Sequence, residues 1–271
     1  MIKSLLKSLG EIFVYRENLS YNKPMEIYIK ELRLDDLQVN GLKIYQHKDK
    51  YCFTSDAVIL ANFARVKKNE VFVDLGSGSG IISILLAGKY NASMVHAVEI
   101  QEYLAKMSKL SVDYNNLAHK IKVHNTPMQT AHKILGKHTM DAVICNPPYT
   151  RQGDGEKNQD LEIAICRHEI KVNLEEVIKS AADLVKYGGR FYLIHQVERL
   201  SQIFFYFHKY KFQPKRLRFI QGKIGLRPNL VMIEAYSYGN EGLIVEQNLI
   251  LYDENGQETP ELNQIYGRIK K

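Results

Sequence analysis

Between Val71 and Tyr90 an apolar strand signal, VFVD, passes through Leu75-Gly76-Ser77-Gly78-Ser79-Gly80 into the almost wholly apolar run IISILLAGKY. Glycine at every second position lets the backbone turn tightly and approach a ligand with no β-carbon in the way. A helix that is apolar on nearly every side has to be buried against a sheet. The segment therefore predicts strand, turn and buried helix, and the same rhythm continues through MVHAVEI, YLAKMSKLSVDYN, KIKVHN, a short helix near 128–135 and MDAVICN. Alternation of this kind predicts an α/β fold, a mostly parallel sheet with helices on both faces, in which ligands bind at the carboxyl ends of the strands.

The flanks are less periodic. Residues 1–30 mix Tyr, Asn and Lys without a glycine motif and are expected to form an N-terminal extension, residues 31–240 the main domain, and 241–271 a C-terminal tail. Within the domain, Val58, Ile59, Ala61, Phe63 and Val66 mark a helix facing the core. The polar stretch TRQGDGEKNQDLE reads as a mobile loop. Asn173 and Glu176 have the spacing of a capping box, opening a helix expected to stop at Gly188-Gly189. RFYLIHQ is a strand, QIFFYFHKY a helix, and 214–238 two strands joined by a turn, an expected antiparallel edge.

Thirty-seven Lys and Arg against 30 Asp and Glu leave a net charge of +7, which suits a polyanionic partner without requiring one. Cys52, Cys145 and Cys166 are an odd number with no CxxC spacing, which argues against a disulfide framework and a cysteine-rich metal site and favours the cytoplasm. The opening MIKSLLKSLGEIF is interrupted by Lys7, Ser8 and Gly10, so no signal peptide is expected, and no run approaches bilayer length.

Two ligands suit the glycine loop, a dinucleotide or S-adenosylmethionine. The dinucleotide fingerprint needs a third glycine or alanine at G-x-G-x-x-G, and after Gly76, Gly78 and Gly80 the next position holds Ile81. About twenty residues on, Glu99 ends the next strand, where a carboxylate can accept from both ribose hydroxyls of an adenosine.

Asn146-Pro147-Pro148-Tyr149 follows the strand DAVIC directly, at the same sheet edge. Two prolines fix the backbone and supply no N–H, so the Asn146 amide oxygen and the Pro147 carbonyl can both accept from one NH₂ group while Tyr149 stacks on the plane that carries it. Two acceptors orient the amine for in-line attack on a methyl, and no strong base is needed because the proton can leave after alkylation.

With the acid before the glycines, the loop and Glu99, the chain resembles the class I (Rossmann-like) methyltransferases. That resemblance implies S-adenosylmethionine as cofactor, with Asp74 near its methionine part and Gly76, Ser77, Gly78, Gly80 and Glu99 around it. Proteins with NPPY methylate amines conjugated to a π-system: adenine in DNA or RNA, guanine in ribosomal RNA, or glutamine in release factors. The order LRLDDLQVNGLKIYQ, FTSDAVILANFA, DLGSGSGIISILLA, NPPY, Arg167-His168-Glu169 and GGRFYLIHQVERL, over roughly 31–236, resembles the bacterial methyltransferases of the adenosine that follows the anticodon in a valine tRNA. That resemblance implies the N6 amine of adenine in a tRNA anticodon loop as acceptor, with Asn146, Pro147, Pro148 and Tyr149 catalytic. Many relatives carry an acid after the third strand to meet the cofactor adenine. Here Asn125 and Met128 occupy that stretch.

For tRNA contact the candidates are Arg151 beside the tetrad and Lys215, Arg216, Arg218, Lys223 and Arg227, interleaved with Phe212 and Phe219. A monomer without an obligate protein partner or membrane attachment is expected. The nearest rival, a release-factor glutamine methyltransferase, would carry a protein-docking domain for which thirty residues are too short. A DNA adenine methyltransferase would show a sizeable target-recognition domain. A non-catalytic RNA-binding module would not need both motifs intact.

Overall fold

The computed structural model describes residues 32–47, 55–148 and 173–268. The expectations for residues 1–30, for Cys52, Tyr149, Arg151 and Cys166, for the loop after the tetrad and for Arg167-His168-Glu169 lie outside the described residues.

A two-stranded sheet of β1 (Leu32–Asp36) and β2 (Lys43–His47) precedes α1 (Ser55–Phe63). There follow β3 (Val71–Leu75), α2 (Ile81–Gly88), β4 (Met94–Glu99), α3 (Glu102–Tyr114), β5 (Ile121–Asn125), a 3₁₀ turn at Met128–Thr130, α4 (His132–Leu135) and β6 (Met140–Cys145). After the second gap come α5 (Leu174–Leu184), β7 (Val185–Gln196), α6 (Leu200–Lys209), β8 (Phe212–Lys223), β9 (Leu230–Ser237), β10 (Ile244–Val245), β11 (Leu249–Tyr252) and α7 (Pro260–Ile265). The main sheet has nine strands in the order β10-β8-β9-β7-β6-β3-β4-β5, with β11 also on β8. Strands β3 to β7 are parallel, and β9 runs antiparallel to both β7 and β8.

This sheet is covered on both faces, which is why its strands read as near-continuous apolar runs. Phe72 of β3 points into one core with Ile59, Leu60, Ile84 and Leu86, while Val73 and Leu75 point into the other with Val177, Ile178 and Phe207. Helix α2 buries Ile81, Ile82, Ile84, Leu85 and Leu86, each worth about 1.5–3 kcal/mol when fully removed from water. A polar face is not needed because none of this helix meets bulk solvent before Gly88.

The capping box forms: Glu176 N–H donates to Asn173 Oδ1 at 2.9 Å and Asn173 N–H to Glu176 Oε2 at 3.0 Å. Its helix, however, ends at Leu184 rather than at the glycine pair. Val185 already pairs with Met140 and Arg190 with Ala142, so Lys186–Gly189 bulge out of β7 between them. Gly188 has φ +73°, and a Cβ on Gly189 would lie 3.0 Å from the Asp141 carbonyl oxygen. The two glycines serve the bulge, not a helix end. The β8–β9 pair is not the sheet edge either. The segment expected as a tail adds β10 and β11, both parallel to β8, and buries Leu249, Leu262 and Ile265 in the first core. No helix among the described residues is long and apolar enough to cross a membrane.

Candidate active site

Strand β3 lies between β4 and β6, with Leu75 opposite Val98 on one side and Cys145 on the other. The chain leaves β3 toward β4 on one side and returns to β6 on the other, so the strand order reverses at β3, where α/β sheets open a ligand crevice. The glycine loop, Glu99 and Asn146-Pro147 thus emerge from three adjacent strands at one edge.

The loop folds toward β4. The N–H groups of Gly76 and Ser77 both donate to the Val98 carbonyl, at 2.9 and 3.0 Å, and Gly78 N–H donates to Glu99 Oε2 at 2.9 Å. All three glycines have positive φ, and a Cβ on Gly80 would collide with Ser108 Oγ of α3. Gly80 caps α2 without a side chain. Asp74 supplies the missing acceptor: its Oδ2 takes the Ser83 N–H at 3.2 Å and the Ser83 hydroxyl at 2.7 Å. Ser83 was invisible as a site residue within IISILLAGKY, although a lone polar residue in an otherwise apolar helix was the available signal.

Asp74 is fully buried, and burial, assisted by the negative charge of Glu99, pushes its carboxyl up to about 7 against the opposing Ser83 bonds. Glu99 is also buried and raised above the usual carboxylate range by desolvation, with the Gln101 and Gly78 N–H groups pulling it back. Gln101 N–H donates to Glu99 Oε1 at 2.8 Å. Each carboxylate oxygen is thus oriented by one backbone donor and retains a lone pair for a further one.

Four buried oxygens around the loop, Asp74 Oδ1, Ser77 Oγ, Ser79 Oγ and Ser108 Oγ, have no partner among the described residues. Buried polar atoms left unpaired cost about 1–3 kcal/mol each, so their grouping fits a polar ligand seated here. Asn125 lies at the end of β5, with its Nδ2 given to the carbonyls of Glu99 and Ile100 at 2.9 Å each, which leaves its amide oxygen to accept from a ligand amine. Met128 is buried against the loop, its Cε 3.7 Å from where a Gly76 Cβ would sit.

At the end of β6, Cys145 Sγ donates to the Leu75 carbonyl at 3.1 Å, tying β6 to β3 just before Asn146. Asn146 is half-buried, Pro147 buried and Pro148 exposed.

The basic candidates separate. Arg216 is buried, donating to Glu234 Oε2 at 2.6 Å and Glu246 Oε1 at 2.7 Å, with its guanidinium 4.2 Å from the Phe63 ring centroid. It is an internal ion-pair residue rather than an RNA contact, because the β8–β9 register places Glu234 directly opposite it. Phe212 is likewise core. Lys215 donates to the carbonyls of Asn240 and Glu241, Arg218 to Gln247 O and both Glu261 oxygens, and Lys223 to Glu254 O. Arg227 is exposed in the β8–β9 turn.

The methyltransferase small domain family matches residues 54–203. A protein of Aliivibrio salmonicida named tRNA1(Val) (adenine(37)-N6)-methyltransferase is 25% identical over 205 residues, 75% of this chain and 84% of that protein. One of the same name from Bacteroides thetaiotaomicron is 26% identical over 219 residues, 78% and 88% of the two chains. Among solved structures, a predicted O-methyltransferase, protein Atu636 from Agrobacterium tumefaciens, shares the fold with a TM-score of 0.63 at 18% identity, covering 78% of this chain and 95% of that one.

Proposed function

The chain belongs to the methyltransferase small domain family, and from that premise we propose that it methylates the exocyclic N6 amine of the adenosine following the anticodon of a valine tRNA, using S-adenosylmethionine. The observation that carries the reading is the adjacency of β4, β3 and β6, which brings the Glu99 carboxylate, the glycine loop and Asn146-Pro147 to one sheet edge. Two relatives matched over most of their length carry that activity in their names.

S-adenosylmethionine supplies, when bound, a methyl on a positively charged sulfonium. Glu99, held by two backbone N–H groups, would accept from the ribose hydroxyls. Asp74 and the loop serines, with their unpartnered buried oxygens, would hold the polar groups of the amino-acid part, and Asn125 and Met128 would border the cofactor adenine. The Asn146 amide oxygen and the Pro147 carbonyl would accept the two N6 hydrogens of the target base and leave the nitrogen lone pair free to attack, and Tyr149, next in the sequence, is the candidate to stack on the ring. Once the amine is alkylated its acidic proton passes to solvent without a dedicated base. An unstacked loop base reaches such a site without duplex opening. We further infer that the protein acts in the cytoplasm as a monomer.

Incubation with methyl-labelled cofactor and separate pools of tRNA, ribosomal RNA, DNA and release factors tests this. Label should enter valine tRNA. Label in the release-factor pool alone would instead select glutamine methylation.

A further inference from the structure

We propose that the turn between β8 and β9 is a docking site for the unstacked RNA nucleotides beside the target adenosine, an inference that rests on the function proposed above. Strand register sets its location. Leu193 of β7 lies opposite Cys145 of β6, and Gln196 of β7 lies opposite Leu230, the first residue of β9. The first residue of β9 therefore lies at the same sheet edge as Asn146, two strand spacings, about 10 Å, across the sheet and three residues further along the strand direction than Cys145, and the turn Ile224–Asn229 projects beyond it. The Val197 N–H, just past β7, donates to the Asn229 carbonyl at 3.0 Å and ties the turn to that edge.

The turn is held rigidly. Leu226 N–H donates to Lys223 O at 3.1 Å across Gly225, whose φ is +81°. Buried Gln221 donates its Nε2 to Leu226 O at 2.6 Å and accepts from Asn248 Nδ2 at 3.2 Å. This scaffold holds two large apolar side chains out in water: Ile224 is 55% and Leu226 58% exposed. Tyr252, in register with Lys223 on the neighbouring β11, is 42% exposed at the same edge.

Charge selects the occupant. Arg227 is exposed beside the apolar pair and makes no ion pair among the described residues. The neighbouring Lys223 donates to the Glu254 carbonyl and keeps its positive charge, the Asp253 carboxylate accepts from the N–H groups of Asn255 and Gln257, and the Glu254 side chain is exposed at the same edge. A rigid apolar ledge with a guanidinium at its side matches a chain of flat bases joined by phosphates: the bases pack on Ile224, Leu226 and Tyr252, and Arg227 meets a phosphate. Because the turn is tied in place before binding, little ordering entropy is lost on docking.

The test is steady-state methylation of valine tRNA by the full chain, with cofactor affinity measured separately. The double variant Ile224→Ser/Leu226→Ser should raise KM for tRNA by about tenfold, the scale of losing the partial burial of two aliphatic side chains, with kcat and cofactor Kd unchanged. Arg227→Ala should reduce the slope of log tRNA affinity against log salt by about one. Thermal midpoints equal to the parent's exclude misfolding as the cause, since all three side chains face solvent. A tRNA KM within twofold of the parent and an unaltered salt slope would overturn the docking site alone. A parent that binds S-adenosylmethionine yet methylates no tRNA would overturn the functional reading and this site together.

Discussion

Replacing Arg216 by Ala separates an RNA contact from an internal brace. Its guanidinium lies between two carboxylates, Glu234 and Glu246, and over the Phe63 ring, while Glu234 has no exposed surface. Without Arg216, Glu234 keeps, among the described residues, the Tyr192 hydroxyl, which donates at 3.1 Å. Removing one partner of a buried pair leaves an uncompensated charge and costs about 3–5 kcal/mol. For a chain of this size each kcal/mol lowers Tm by roughly 2–4 °C, so the variant should melt roughly 6–20 °C below the parent. Calorimetry reads that loss, and a filter-binding titration on the folded fraction should give the parent's tRNA affinity. Combining Arg216→Met with Glu234→Gln removes both charges, preserves an acceptor for Tyr192, and should recover most of the lost stability. A variant that melts within 2 °C of the parent while binding tRNA several-fold more weakly would refute the internal role.

Asn146→Ala should abolish methyl transfer while cofactor Kd by calorimetry stays within about twofold, because the residue belongs to the acceptor half of the site; equal loss of both would make the tetrad a structural loop. Glu99→Gln keeps the side-chain shape but puts an NH₂ against the Gly78 or Gln101 N–H, and should weaken cofactor binding by about 10–100-fold, on the scale of losing charge-assisted hydrogen bonds. Unaltered Kd would remove the ribose role. Asp74 titrates in the folded protein at about 7, above the ordinary carboxylate value, so the folded state holds this proton where the unfolded chain has released it. Its contribution therefore lowers stability as pH rises from about 4 to about 7 and is constant beyond. Cofactor affinity, which gains from an ionised carboxylate beside a cation, should climb over the upper part of that window. Both trends should vanish in Asp74→Asn, and a parent whose melting temperature and cofactor Kd are flat between pH 5 and 8 would contradict the raised value.

The sequence carried β3 through β6 because a strand buried on both faces and a helix buried all round leave nothing but apolar residues to write, and because each motif sits where such a run stops. The capping box at Asn173 was readable for a similar reason: both of its bonds are local, three residues apart. What could not be read depended on partners distant along the chain. Gly188-Gly189 has the composition of a helix stop, and only the pairing of Val185 with Met140 converts it into a bulge. A two-residue strand such as β10 has no period at all, so its place on β8 is fixed by backbone bonds that no side chain announces. The basic run of β8 shows the same limit in charge. Lys215, Arg216 and Arg218 lie within a strand, where neighbouring segments 18 to 43 residues away supply acids and carbonyls to receive them. Arg227 lies beyond the strand end, in the turn between β8 and β9, and makes no ion pair among the described residues. Residue type alone made these arginines equivalent. Position relative to the end of the ladder decides which of them keeps its charge available for a phosphate.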